Sequence, residues 1–330
     1  MVRRLLRLQR FNMDIELEKI HRLIEKIENW DLLPKSPKVT ILIATYNHQD
    51  YIKEALDGAL MQEVDFQYEI IIKDDNSTDE TRNIVINYQK EHPDKIRLWL
   101  AKENLYSQGL KPRMIKFARG EYIAICEGDD YWIDKMKLQK QVKILDNNPN
   151  IFACFTNAIL KYSDGNPRLY TELKGDQLID PGEVLRLGGA LYPSASLMYR
   201  NKIKDWPEYY DKNVAGDRVL AYVLLNLGDF YYLDFESCVY RIHGKGVFTS
   251  ILNNDKKLQE RNIININSLI IFQKYCNPNL KKYIPRAISK QAREYLKKEK
   301  NIFSIPNRTL LRQLTIYDFF RLIKFKMLTK

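Results

Sequence analysis

Three carboxylates in four residues, Glu127, Asp129 and Asp130 around Gly128, directly follow the apolar run Tyr122 to Cys126. At the end of a buried strand such groups repel one another and are costly to desolvate unless a cation lies among them. Carboxylate oxygens suit a hard divalent ion, Mg or Mn, which keeps open positions for the oxygens of a substrate phosphate. The plain alternative is a solvated acidic turn. Three other apolar runs end in the same way: Ala44-Thr45-Tyr46-Asn47, Lys73-Asp74-Asp75-Asn76-Ser77 and Glu103-Asn104. A turn or helix cap accounts for any single ending, as for Ser77 and Asp79. Four together favour a shared site. No Gly-x-x-x-x-Gly-Lys-Ser/Thr occurs, no Gly-x-Gly-x-x-Gly follows the first strand, and Gly244-Lys245-Gly246 is an isolated fragment. A phosphate is therefore expected on a metal and not in a glycine cradle.

The elements that would carry these residues follow from periodicity. Met13, Leu17, Ile20, Leu23, Ile24 and Ile27 recur at helical spacing, which predicts a helix over 13–29 within an N-terminal extension, 1–37, closed by Pro34 and Pro37. Val39 to Ala44, Glu69 to Lys73, Lys95 to Ala101 and Tyr122 to Cys126 read as strands, and Tyr51 to Met61, Thr78 to Gln89, Met114 to Ala118 and Asp134 to Leu145 as helices. Such alternation implies an α/β fold with a mostly parallel sheet. Ligands then bind outside the carboxyl ends of the strands, where the polar endings are. Further on, Ile151 to Tyr162, Ser194 to Tyr199 and Phe230 to Tyr240 read as strands and Gly182 to Leu187 and Ala215 to Leu227 as helices; from about Asn253 only helices are expected.

Composition bounds the class. Of 330 residues 45% are hydrophobic and 29% charged, which is a globular balance, and no apolar run approaches the ~20 residues of a membrane span. The start of the chain has no signal-peptide pattern, so a cytoplasmic location is expected. Cys126, Cys154, Cys238 and Cys276 lie far apart in apolar stretches and read as buried thiols. The net charge of +11 is uneven: residues 1–10 carry +4, 281–330 carry +11, and 11–280 carry −4. That argues against a nucleic-acid partner and for basic ends that meet an anionic surface. Ile316, Phe319, Phe320, Ile323 and Met327 form an apolar stripe with Arg321 and Lys324 off it, suited either to packing on the rest of the chain or to a membrane interface.

The segments VTILIATYNHQDYIKEAL (39–56), EIIIKDDNSTDET (69–81), ARGEYIAICEGDDYW (118–132) and YRIHGKG (240–246) together closely resemble the family 2 glycosyltransferases of the GT-A fold. The resemblance covers about residues 38–250, with a nucleotide-sugar half, 38–133, and an acceptor half, 134–250; residues 251–330 form a basic helical region. It implies an inverting transferase that moves one sugar from a UDP-sugar to a hydroxyl of a glycan or lipid-linked glycan precursor, with Mg or Mn. Thr45, Tyr46 and Asn47 would border the nucleotide, and Asp75 would accept a hydrogen bond from uracil. Asn104, Gly128, Asp130 and Arg241 would join the donor contacts, with Lys111 and Arg113 toward the diphosphate or base. Asp129 would bind the metal, Glu127 would lie near the ribose, and His243 would close over the metal and diphosphate. Asp217 would be the base. Glu127 replaces the usual first Asp of the Asp-x-Asp motif, and Gly216 replaces the first acid of the catalytic Glu-Asp pair. The Gln-x-x-Arg-Trp signature of processive members is absent.

The chemistry asks for the same parts. Charge developing on a departing diphosphate needs a cation, and an attacking hydroxyl needs a carboxylate to take its proton. Two rivals share some of these features. A sugar nucleotidylyltransferase would need a glycine-rich basic loop after the first strand, and a non-catalytic, membrane-associated glycan-binding or scaffold protein would not need the acids. His21 and His92 read as surface or helix-end residues, and His48 as a loop residue or a donor neighbour.

Overall fold

The structure, a computed structural model, describes residues 22–105, 115–162, 165–203, 216–243, 254–299 and 311–328. They fall into two compact units, one of residues up to Lys140 with Arg200–Ile203, the other of Gln141–Tyr199 and residues from Lys204 onward.

The first unit contains β1 (Ile24–Ile27), β2 (Val39–Thr45), α1 (Ile52–Leu60), β3 (Tyr68–Asp74), α2 (Thr81–Glu91), β4 (Ile96–Ala101), β5 (Tyr122–Glu127) and β6 (Tyr131–Trp132). Its sheet runs β1-β4-β3-β2-β5, with β2 to β5 parallel and β1 antiparallel on the edge. All seven residues of β3 are buried, the mark of a parallel strand covered on both faces. Helix α1 buries Ile52, Ala55, Leu56 and Ala59, spaced i, i+3, i+4, i+7 on one face. The chain runs from β2 to β3 to β4 on one side and returns to β5 on the other, so strand order reverses between β2 and β5.

The structure corrects the expected helix over 13–29 at its end: Ile24–Ile27 form β1, and 13–21 lie outside the described residues. Tertiary partners override the local pattern here. Glu28 accepts from Arg97 Nε at 2.8 Å and Trp99 Nε1 at 3.0 Å, and Lys26 Nζ lies 4.6 Å from the Trp99 ring centroid. Arg97 also meets Glu69, whose side chain is fully buried and takes bonds from Thr40 and Arg119 as well. Likewise Ser194 to Tyr199 is only partly strand, with a 3-10 turn at Ser194–Ser196 after Pro193.

The second unit holds most of α3 (Lys137–Asn147), the long strands β7 (Ile151–Tyr162) and β11 (Asp229–Ile242), and the short β8 (Arg168–Leu169) and β9 (Gln177–Leu178). It also holds α4 (Pro181–Leu187), the start of β10 (Met198–Arg200) and α5 (Gly216–Leu227), then α6 (Asp255–Tyr275), α7 (Ile284–Lys298) and α8 (Ile316–Leu328). β7 and β11 run parallel, while β10 and β8 join β7 antiparallel and β9 joins β11 antiparallel. Asp180 caps α4, accepting from Gly182 N at 2.8 Å before Pro181 at its first turn. α7 packs on α4, α6 and α8, and Leu296 meets Leu322 in a small apolar cluster. The α8 stripe differs from expectation. Its buried face centres on Asp318 and Leu322, because Asp318 ion-pairs with Arg293 at 2.9 Å and accepts from Ser289 Oγ at 2.7 Å; Ile316 and Phe320 are exposed. All four cysteines are buried thiols, as their apolar settings imply. Among the described residues no helix is long and apolar enough to cross a membrane.

Candidate active site

The carboxyl ends of β2 and β5 flank the point where strand order reverses, and the polar residues singled out in the sequence collect on that rim. Gly128 N donates to Ala44 O at 2.9 Å, tying the acidic turn to the end of β2. A Cβ on Gly128 would fall 2.7 Å from Thr45 Oγ1 and 2.8 Å from His48 Nδ1, so only glycine fits this approach. Thr45 Oγ1 lies 3.3 Å from His48 Nδ1, and His48 Nε2 lies 3.9 Å from Asp129 Oδ2. With Thr45 donating to Nδ1, Nε2 carries the proton and faces Asp129. The sequence left His48 open between loop and donor neighbour, and its contacts set it beside Asp129. Asp130 is buried behind the turn, while Glu127 ends β5 half-exposed.

The loop after β2 is stitched to the loop after β3. Asn47 and Asn76 both take left-handed backbone, φ 54° and 64°, which asparagine tolerates better than most residues. Asn47 N donates to Ser77 Oγ at 2.9 Å, Thr78 N to Asn47 Oδ1 at 2.8 Å, and His48 N to Thr81 Oγ1 at 2.8 Å. The Asn47 side chain thus braces the loops. Burial alone would raise the Asp79 carboxyl, yet hydrogen bonds from Thr81 and Gln49 hold it below its usual range. Tyr46 stands exposed on this rim.

Asp74 and Asp75 part company at the end of β3. Asp74 is fully buried, accepting from Arg82 Nε at 2.8 Å and from Ser77 N. Asp75 Oδ1 accepts from Lys73 Nζ at 2.9 Å and Leu105 N at 3.0 Å, and its other oxygen takes no bond among the described residues. Asn104 is exposed just before Leu105. Lys111 and Arg113 lie outside the described residues.

The remaining sequence candidates belong to the second unit. Asp217 opens α5, packed so closely on Gly189 that a Cβ there would lie 2.7 Å from its own Cβ. Burial first and the Asp217 charge second push the nearby Tyr170 hydroxyl up to about 12. Arg241 is buried at the end of β11, and His243 follows it; residues 244–250 lie outside the described residues.

Among the described residues no three His, Cys, Asp or Glu side chains converge on a ready-made metal cage. Mg often takes only one or two protein carboxylates and completes its shell with substrate phosphates and water, so a half-exposed Asp129 on an acidic turn fits such an ion.

A parallel α/β sheet with an acid-lined rim at its topological switch point defines the class of open α/β folds that bind ligands at that rim, and comparison with known proteins narrows it. Residues 40–206 match glycosyl transferase family 2, and the chain belongs to that family. An uncharacterised Mycobacterium tuberculosis protein is 33% identical over 237 residues, covering 67% of this chain; the chain spans 64% of that relative's length. The Escherichia coli UDP-Glc:alpha-D-GlcNAc-diphosphoundecaprenol beta-1,3-glucosyltransferase WfaP is 36% identical over 121 residues, covering 36% of this chain and 45% of its own. The structure of S. aureus TarS 1-349 with UDP-GlcNAc superposes with a TM-score of 0.59 over 87% of this chain and 80% of that one, at 18% identity, and the GT-A fold is shared.

Proposed function

We propose that the protein is an inverting glycosyltransferase that moves one sugar from a UDP-sugar to a hydroxyl of a cell-surface glycan precursor, with Mg or Mn. The observation that carries this reading is the convergence of Thr45, His48 and Asp129 at the switch point, with Asp75 at the end of the neighbouring strand. WfaP, named for a UDP-glucose donor and a diphosphoundecaprenol acceptor, supports the substrate classes.

The open oxygen of Asp75 accepts the ring N–H of uracil, while Lys73 and the Leu105 amide hold the carboxylate in place. Tyr46 lines the nucleotide from the exposed side of the rim. Asp129, oriented by His48, holds the cation, with Glu127 toward the ribose and Asp130 behind. When bound, the cation neutralises charge that develops on the departing diphosphate. Arg241 and His243 are assigned to the same diphosphate. Asp217 takes the proton of the attacking hydroxyl, and a single displacement inverts the anomeric centre. The exposed Ile316 and Phe320 support attachment to an anionic leaflet, where a lipid-linked acceptor would be found.

The test is calorimetric titration with UDP and GDP, with and without Mg or Mn, together with turnover. UDP is expected to bind more tightly than GDP and only with the cation. Asp129→Ala should abolish turnover without unfolding, and Asp217→Asn should bind UDP normally while kcat falls ~10²- to 10⁴-fold. Metal-independent UDP binding with full activity in Asp129→Ala would reject the metal assignment. Undiminished kcat in Asp217→Asn would reject the base.

A further inference from the structure

Beside Asp217 the second unit gathers cations that the transfer just described does not use. Arg218 follows Asp217 on α5 and lies against Gly188, where a Cβ would fall 2.6 Å from its Cγ and 3.0 Å from its Nη1. Gly188 also has φ +55°, so both backbone and space demand glycine under this guanidinium. Arg218 Nη1 donates to Tyr222 OH at 3.2 Å. Arg186, at the end of α4, forks onto Glu183 with Nε 2.9 Å from each carboxylate oxygen, and its carbonyl accepts from Gln291 Nε2 at 3.3 Å, which brings α7 alongside. Lys290 precedes Gln291 on α7. Burial first, then Arg186 and Arg218, pull its ammonium down to about 8 in spite of Glu294 and Glu183. Arg286, one turn earlier, adds its charge around Glu183.

The nearby acids are already engaged. Glu183 serves Arg186, and Glu294 accepts from Lys297 at 3.0 Å and Arg293 at 3.2 Å. Among the described residues no carboxylate forms an ion pair with Lys290 or Arg218. Like charges held together while partly buried are unfavourable, and an anion placed among them relieves that cost. A guanidinium presents a planar fork that matches phosphate oxygens, and a lysine adds a point charge.

We propose that Arg218 and Lys290 hold a phosphate group carried by the acceptor, next to the hydroxyl that Asp217 deprotonates. Arg186, paired with Glu183, adds only its charge nearby. The role of the subsite rests on reading Asp217 as the base; the phosphate binding itself does not. A phosphodiester in a polymer and a diphosphate joining a glycan to a lipid present the same chemistry.

The full chain, with UDP and Mg saturating so that the donor pocket is filled, is titrated with glycerophosphoglycerol and with methyl diphosphate. Wild type is expected to bind at least one, and preference for the diester or the diphosphate identifies the carrier. Arg218→Gln and Lys290→Gln should each weaken that binding about tenfold, the worth of one charge-assisted hydrogen bond, and leave UDP affinity unchanged. Lys290→Gln should also raise Tm at pH 7, because it removes buried repulsion; a lysine that merely packs would not behave so. If Arg218→Gln fails to fold, Lys290→Gln carries the test. The proposal is overturned if neither probe binds wild type, or if Lys290→Gln binds them as tightly as wild type. Full turnover in Asp217→Asn with phosphate binding intact would sink the base assignment and leave the phosphate site standing.

Discussion

Asp74 and Asp75 are neighbours with opposite work, and only their partners reveal it. Asp74 has no exposed surface and answers Arg82, whereas Asp75 keeps one oxygen open at the rim. Asp75→Asn preserves the acceptor that Lys73 and the Leu105 amide use, and offers uracil an amide donor where it needs an acceptor. UDP binding should weaken by ~1.5–3 kcal/mol, the worth of a hydrogen bond to a charged group, and Tm should fall as well, because the buried Lys73 loses its counter-charge. Asp74→Asn should lower Tm with little effect on UDP affinity in the surviving folded protein. Isothermal titration separates the two; a donor-affinity loss confined to Asp74→Asn would overturn the division of roles. The sequence made the Asp-Asp-Asn-Ser ending legible as a site, because carboxylates after an apolar run are conspicuous. It could not show that Asn47 braces Thr78 or that His48 faces Asp129, since both depend on loops 30 residues or more apart coming together.

At the level of elements, the parallel strands were legible almost to the residue, because β2 to β5 are short apolar runs separated by helix-length segments. β1 was not. Its residues fit a helical spacing, and what makes them a strand is the free edge of β4 together with Glu28, which reaches Arg97 and Trp99. That contact belongs to a buried chain of charges, Glu28 to Arg97 to Glu69 to Arg119. Glu69 is its centre, fully buried and accepting also from Thr40 Oγ1 at 2.8 Å and Arg119 N at 3.0 Å. Glu69→Ala strips the acceptors from several buried donors and should cost ~3–5 kcal/mol, the range for breaking a buried pair. Glu28→Ala leaves Arg97 with Glu69 and should cost less. Urea unfolding with unchanged m-values would give this order in the midpoints; equal midpoints for the two variants would show that the edge strand and the central strand bear the network equally.

Over the whole molecule the charge is divided: a mildly acidic stretch, −4 over 11–280, is followed by +11 over 281–330. The C-terminal apolar stripe was legible in the sequence as helical, but its buried face was not, because a buried Asp318 is invisible to a hydrophobic pattern until Arg293 and Ser289 are seen beside it. Turning α8 onto Asp318 and Leu322 leaves Ile316 80% and Phe320 65% exposed, one turn apart on the same face. Arg312, Arg321 and Lys324 are exposed on the same stretch. Two apolar side chains alone hold a surface weakly, and each nearby cation adds ~1 kcal/mol at an anionic leaflet, so attachment should need both. The full chain is expected to float with phosphatidylglycerol vesicles at low ionic strength, to be released as salt rises to ~0.5 M, and to ignore phosphatidylcholine vesicles. Ile316→Ser with Phe320→Ser should weaken vesicle binding roughly 30-fold, since each exposed side chain gives up on the order of 1 kcal/mol of apolar burial, and Tm should not move because neither is packed in the fold. Equal capture by neutral vesicles, or unchanged flotation of the double variant, would assign this face to something other than a membrane.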